Sequence, residues 1–177
     1  MTTSDEALAR AAAGGDAQAF SALISRHYDR IFRLSFRLTG VRAEAEDLCQ
    51  DICAALPAKL SAYRSEARFT TWLYRVTVNA SHDRRRRAAT HARAADGWGE
   101  TEVARRAEAA EAAQALDWLT AAMRDLPEEL RDTVALVLDD VTHAQAAEVL
   151  DVSEGTVSWR MSEVKKRLRA LKEADHG

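Results

Sequence analysis

The stretch from Thr142 to Arg169 carries cations on a pattern that suits a nucleic acid. Thr142 and Gln145 have the S/T-x-x-E/Q spacing of a capping box, so a helix starts there, with Ala146, Ala147 and Leu150 as a small apolar face. Asp151-Val152-Ser153 breaks that pattern, and Ser153 suits the N-cap of a second helix. In the second helix Val157, Met161, Val164, Leu168 and Leu171 recur at spacings of three and four, which predicts one buried stripe. The other faces carry Ser158, Trp159, Arg160, Lys165, Lys166, Arg167 and Arg169. The two helices read as a helix-turn-helix whose second helix is presented as major-groove readers present theirs. A solvated amphipathic helix would share this composition and is the alternative.

Charge distribution narrows the chemistry. The chain is formally −3, which excludes a bulk nucleic-acid binder. Yet Ser158–Lys172 holds six basic residues against one acid, Glu163, while the stretch Asp96–Val157 is strongly acidic. A basic tip on an acidic body suits phosphate contacts at chosen places.

A chain of 177 residues leaves room for one large or two small domains. Only 7 Gly and 2 Pro interrupt a helical recurrence of apolar residues, so an all-α chain is expected. No stretch approaches the ~18–20 apolar residues of a membrane span. The polar start MTTSDEALAR does not read as a signal peptide, so a cytoplasmic location is expected. Helices are predicted over about Ser4–Ala13, from Asp16 to Thr39-Gly40, over Arg42–Leu56 with a stop at Pro57, and over Phe69–Arg87 after a loop. The best linker candidate lies within Ala88–Glu100. A second unit begins near Thr101, with a first helix ending near Leu126-Pro127, a second over Glu128–Asp139, and then the helix-turn-helix. Each unit is expected to close a small core.

Two features of the first unit invite a functional reading. Glu44, Glu46, Asp47, Gln50 and Asp51 form an acidic-polar face opposite Leu48, Cys49, Ile52 and Leu56. It is either a solvated helix face or a docking surface for a basic partner. In FTTWLYRVTVNASHDRRRR, Trp72, Tyr74, Arg75, Asn79 and Arg84–Arg87 mix aromatics with cations. Aromatics stack on unpaired bases and arginines hold phosphates; core packing is the competing fate of Trp72 and Tyr74. Cys49 and Cys53 share one helix face and read as small core residues, with a redox role as the alternative; a closed zinc site needs four ligands and no His falls beside them. No metal, cofactor or catalytic triad is expected.

Four ordered blocks, YDRIFRLSFRLTGVRAEAEDLCQDICAAL, FTTWLYRVTVNASHDRRRR, LPEELRDTVALVL and the VSEGTV helix-turn-helix, resemble the extracytoplasmic-function (ECF) sigma factors of bacterial RNA polymerase. The resemblance covers nearly all of the chain. It implies a region 2 bundle over 1–90, a linker over 91–107 that is flexible, and a region 4 helix-turn-helix over 108–177. By position, Asp47, Leu48, Gln50 and Asp51 would dock on the clamp helices of the largest polymerase subunit. Tyr63, Arg64, Arg68, Thr71, Trp72, Arg75, Asn79, Arg84 and Arg85 would hold the opened −10 element, with a base flipped into the loop Ser61–Ala67. Ser153, Thr156, Ser158, Trp159, Arg160, Lys165 and Lys166 would read the −35 element. The implied partners are core RNA polymerase, promoter DNA and an anti-sigma factor.

The chain departs from the family pattern in places. Asp151 stands where the turn usually has Gly, Ser158-Trp159 where a cation and Ser are usual, and Glu163 where a basic residue is frequent. Three functions are compatible with these residues: an active alternative sigma factor; a sigma mimic that sequesters a regulator without initiating transcription; and an operator-binding regulator with an unrelated helical sensing domain. The last leaves FTTWLYRVTVN unexplained and predicts a dimer, for which no heptad seam is visible.

Overall fold

The computed structural model describes residues 2–94 and 118–175. Among them lie eight helices and no strand: α1 (Asp5–Ala13), α2 (Ala17–Thr39), α3 (Arg42–Leu60), α4 (Phe69–Ala94), α5 (Trp118–Arg124), α6 (Glu128–Val137), α7 (His143–Leu150) and α8 (Glu154–Asp175).

Short-range chemistry sets most of the boundaries. The Ser4 hydroxyl accepts from the Ala7 N–H at 3.2 Å, and Asp16 Oδ1 accepts from Gln18 and Ala19 at 2.9 and 3.0 Å, so α1 and α2 start where capping side chains stand. At the end of α2, Gly40 is left-handed, with φ 70°. A Cβ there would lie 2.3 Å from Cγ of Arg124, so both the turn and the close approach of α5 require glycine. The capping box of Thr142 and Gln145 forms at α7, Asp151 adopts the left-handed turn with φ 54°, and Ser153 Oγ caps Thr156 at 3.0 Å.

Two helices outrun their expected ends. α3 does not stop at Pro57 but continues to Leu60. Proline removes one helical hydrogen bond, a cost of about 3 kcal/mol, but Leu60 is 1 % exposed and burying it returns about 1.5–3 kcal/mol. α4 runs past Arg87 to Ala94. The rest of the expected linker 91–107, and the start of the helix expected from Thr101, lie outside the described residues.

The helices make two apolar clusters, and the second is not confined to one unit. Leu23, Ile31, Leu48, Ile52, Leu56, Phe69 and Leu73 fill the first, between α2, α3 and α4. In the second, Met123, Leu130, Val134, Leu136, Val157 and Val164 are joined by Leu34, Leu38, Tyr74 and Val78 from α2 and α4. The expectation of two separately closed cores is corrected here. The short helices α5 to α7 leave one side of their core open, and side chains of the first unit fill it. The buried stripe of α8 ends at the partly buried Leu168, since Leu171 is 37 % exposed.

Candidate nucleic-acid interface

α3 turns Asp47, Gln50 and Asp51 to solvent, while Leu48 is 1 % exposed and belongs to the core. Leu48 therefore holds the acidic face in place from behind and is not part of its surface. Arg84 on α4 reaches across, Nη2 to Asp47 at 3.4 Å and Nη1 to Asp51 at 3.3 Å. Pairs this exposed contribute less than ~1 kcal/mol, so both acids remain available.

Ahead of α4 an aromatic cluster anchors the loop. Tyr63 and Trp72 have ring centroids 5.2 Å apart, and Phe69 lies 5.7 Å from each. The Tyr63 hydroxyl donates to the Ala67 carbonyl at 2.9 Å, which closes the loop on itself. Arg64, Arg68 and Asn79 are exposed, whereas Thr71 is 5 % exposed and packs inward. Trp72 is half-buried in the cluster, so part of its ring serves packing.

The next turn of α4 lies beneath the second unit. Arg75 donates through Nη2 to the Glu148 carbonyl at 2.6 Å and through Nε to that of Val149 at 3.5 Å. These carbonyls end α7, where the helix dipole favours a cation. Beside it, the buried Asp139 carboxylate accepts from the Tyr74 hydroxyl at 2.6 Å, from Arg33 Nε at 3.1 Å and from Arg37 Nη1 at 2.9 Å. Burial alone would raise the Asp139 pKa, but hydrogen bonds from Tyr74, Arg33 and Arg37 outweigh it and hold the carboxyl below its ordinary range.

A second polar contact joins α4 to α6. His82 Nε2 lies 2.6 Å from Asp132 Oδ2 and 3.4 Å from Glu128 Oε1. The hydrogen bond to Asp132 raises the His82 pKa, against a smaller opposing effect of burial. Arg85 donates to Glu128 at 2.8 Å and to the Leu38 carbonyl at 2.9 Å. His82, Glu128 and Asp132 have ligand atoms within 4.8 Å of one another, the spacing a metal ion would need. Arg85 already balances Glu128 there, which makes the group an ion-pair network. Sequence patterns did not single out Asp139, Asp132, His82, Arg33 or Arg37; their partners lie far away in the chain.

On α8 several expected DNA contacts are tied to neighbours. Ser158 shares a hydrogen bond of 3.0 Å with His143 Nδ1, and Thr156 one of 2.8 Å with Ser153. Arg160 Nη2 lies 3.6 Å from Glu129, its side chain 13 % exposed, which turns it towards the body of the unit. Glu163 accepts from Arg167 at 3.0 Å, so its charge is balanced along the helix. Lys165 and Lys166 are exposed, and Trp159 is 63 % exposed. Cys49 is buried and Cys53 half-buried. A hydrogen bond between the two thiols pulls Cys53 down to about 7 and pushes Cys49 up.

Known proteins share this fold. Residues 23–91 match the Sigma-70 region 2 family and residues 116–168 the Sigma-70 region 4 family. The ECF RNA polymerase sigma factor SigM of Mycobacterium tuberculosis is 33% identical over 171 residues, spanning 95% of this chain and 84% of that protein. The solved structure of CnrH in complex with the cytosolic domain of CnrY superposes with a TM-score of 0.68 at 26% identity, covering 97% of this chain and 98% of that one. CnrH is a sigma factor of Cupriavidus metallidurans. A sigma factor RpoE of Bartonella quintana, solved with the anti-sigma factor NepR, shares the fold with a TM-score of 0.70 at 19% identity, over 90% of this chain and 99% of that one. With both family regions in order and a full-length relative at this identity, the chain belongs to the ECF sigma factors of RNA polymerase.

Proposed function

We propose that this sigma factor divides its work between residues 1–90 and 108–177, joined by the linker 91–107. Asp47, Gln50 and Asp51 dock on the polymerase clamp helices, with Leu48 setting their face. Arg64, Arg68, Asn79 and, once uncovered, Arg75 hold the opened −10 strand, with Tyr63 and Trp72 shaping the base pocket. The α8 face reads the −35 element. Bond formation belongs to the polymerase, and the chain itself acts in the cytoplasm without covalent chemistry. An anti-sigma factor holds it inactive, a reading supported by CnrH, which is held by the cytosolic domain of CnrY. The observation that carries the reading is the exposed acidic face of α3 set on the same chain as an exposed cationic helix-turn-helix.

Transcription in vitro with core polymerase, this protein and pooled genomic DNA tests it by sequencing RNA 5′ ends. Discrete starts sharing two upstream elements are expected. Asp51→Arg should lower core affinity by about tenfold or more with the fold intact, because like charge now faces a basic partner. No initiation by folded protein on a competent core would overturn the reading in favour of a sequestering mimic.

A further inference from the structure

α8 turns the buried Val157 and Val164 and the partly buried Met161 and Leu168 to one side. At ~100° per residue, Trp159 stands about half a turn away from that stripe, in line with Ser162, Lys166 and Arg169. It is the most exposed large apolar side chain among the described residues, and no hydrogen bond or ring contact holds it there. Its neighbours differ: Ser158 is bonded to His143, and Arg160 is turned to Glu129. One turn earlier, Gly155 has no left-handed φ, and a Cβ there would meet only Ser153 Oγ, at an ordinary 3.8 Å. Neither the backbone nor packing demands glycine there, in the first turn of α8. A missing side chain beside an exposed indole leaves room for a backbone to approach.

A large apolar surface carries no charge to hold a phosphate, and its single N–H makes one hydrogen bond at most, so most of the ring needs an apolar partner. The base group that matches it in the major groove is the 5-methyl of thymine. Resting on the −35 reading above, we propose that Trp159 is a specificity-determining residue that reads a thymine methyl group, with Gly155 admitting the adjoining DNA backbone.

The test is a methyl deletion. Holoenzyme is bound to a promoter found by 5′-end mapping, and each −35 thymine is replaced in turn by deoxyuridine, which removes only the methyl. One position should lose about fourfold in affinity, the worth of one buried methyl, for the natural chain. The same replacement should cost nothing in Trp159→Ala, and Trp159→Leu should retain part of the preference. A protected −35 element with a flat scan, or an equal loss in both chains, would overturn the Trp159 assignment and leave the −35 reading standing. Initiation without any protected upstream element would overturn both.

Discussion

Arg75 on α4 and Trp159 on α8 both belong to helices proposed to face promoter DNA, yet their surroundings are opposite. Arg75 donates to the carbonyls that end α7, while Trp159 stands 63 % exposed on the far side of α8 from its core. Cations and aromatics in a sequence mark where a nucleic acid could bind. They do not say whether the surface is presented or whether the chain's own carbonyls have taken the ligand's place. In this molecule the face proposed for the −35 element is presented and part of the face proposed for the −10 element is covered. Strand capture through Arg75 therefore requires the second unit to move off α4.

Asp139 gives the strongest way to break that difference. Asp139→Asn keeps the shape but removes the buried carboxylate that Tyr74, Arg33 and Arg37 share; Arg33 is half-exposed and regains water, so closure should weaken by about 1–2 kcal/mol. Small-angle scattering should then show a larger radius of gyration, with tighter capture of a single-stranded −10 oligonucleotide. Unchanged dimensions and strand affinity in a folded variant would show that Asp139 does not hold the cover.

The open face can be sharpened by two alanine variants. Lys165→Ala should lower the log–log salt slope of promoter binding by about 0.9, as expected for one lost phosphate contact. Arg160→Ala should change it less, because that guanidinium already faces Glu129. Equal slopes would mean that Arg160 leaves Glu129 when DNA arrives.

The smallest effect is expected from pH. The His82 pKa is raised in the closed fold above the ordinary value of 6.5, so its contribution is full below that value and fades as pH rises through the raised pKa. Asp139, whose pKa is lowered, contributes above the ordinary carboxylate value and fades only in strong acid, as pH falls through its lowered pKa. Raising pH from about 6 to 8 should loosen the cover about a few-fold, and His82→Gln should flatten the response. Scattering profiles that ignore pH in the natural chain would remove His82 from the contact.

The difference between the two faces also explains what could be read in advance. Ser4, Asp16, Gly40, the Thr142–Gln145 box and Ser153 are local signals acting within one turn, and each marks a helix end where the sequence places it. The helix-turn-helix stripe follows from spacing as far as Leu168. Leu171, a turn before the end of α8, breaks it by standing 37 % exposed. Pro57 misleads because its cost is offset by burial of Leu60, which is decided by the fold as a whole. Asp139 finds Arg33 and Arg37 across separations of 106 and 102 residues. Many arginines could serve a buried aspartate, and no local pattern chooses among them. The acidic face of α3 and the cationic face of α8 were legible as surfaces; the cover over Arg75 was not.

Arg84 is held by the two carboxylates proposed to receive the polymerase. A cation arriving on Asp47 and Asp51 displaces it, and by reciprocity a phosphate that takes Arg84 bares the two acids. With each of the two pairs below ~1 kcal/mol, the exchange changes either affinity by less than about thirtyfold. Its sign is nonetheless fixed: if the proposed docking and strand capture use these three exposed side chains, each assists the other.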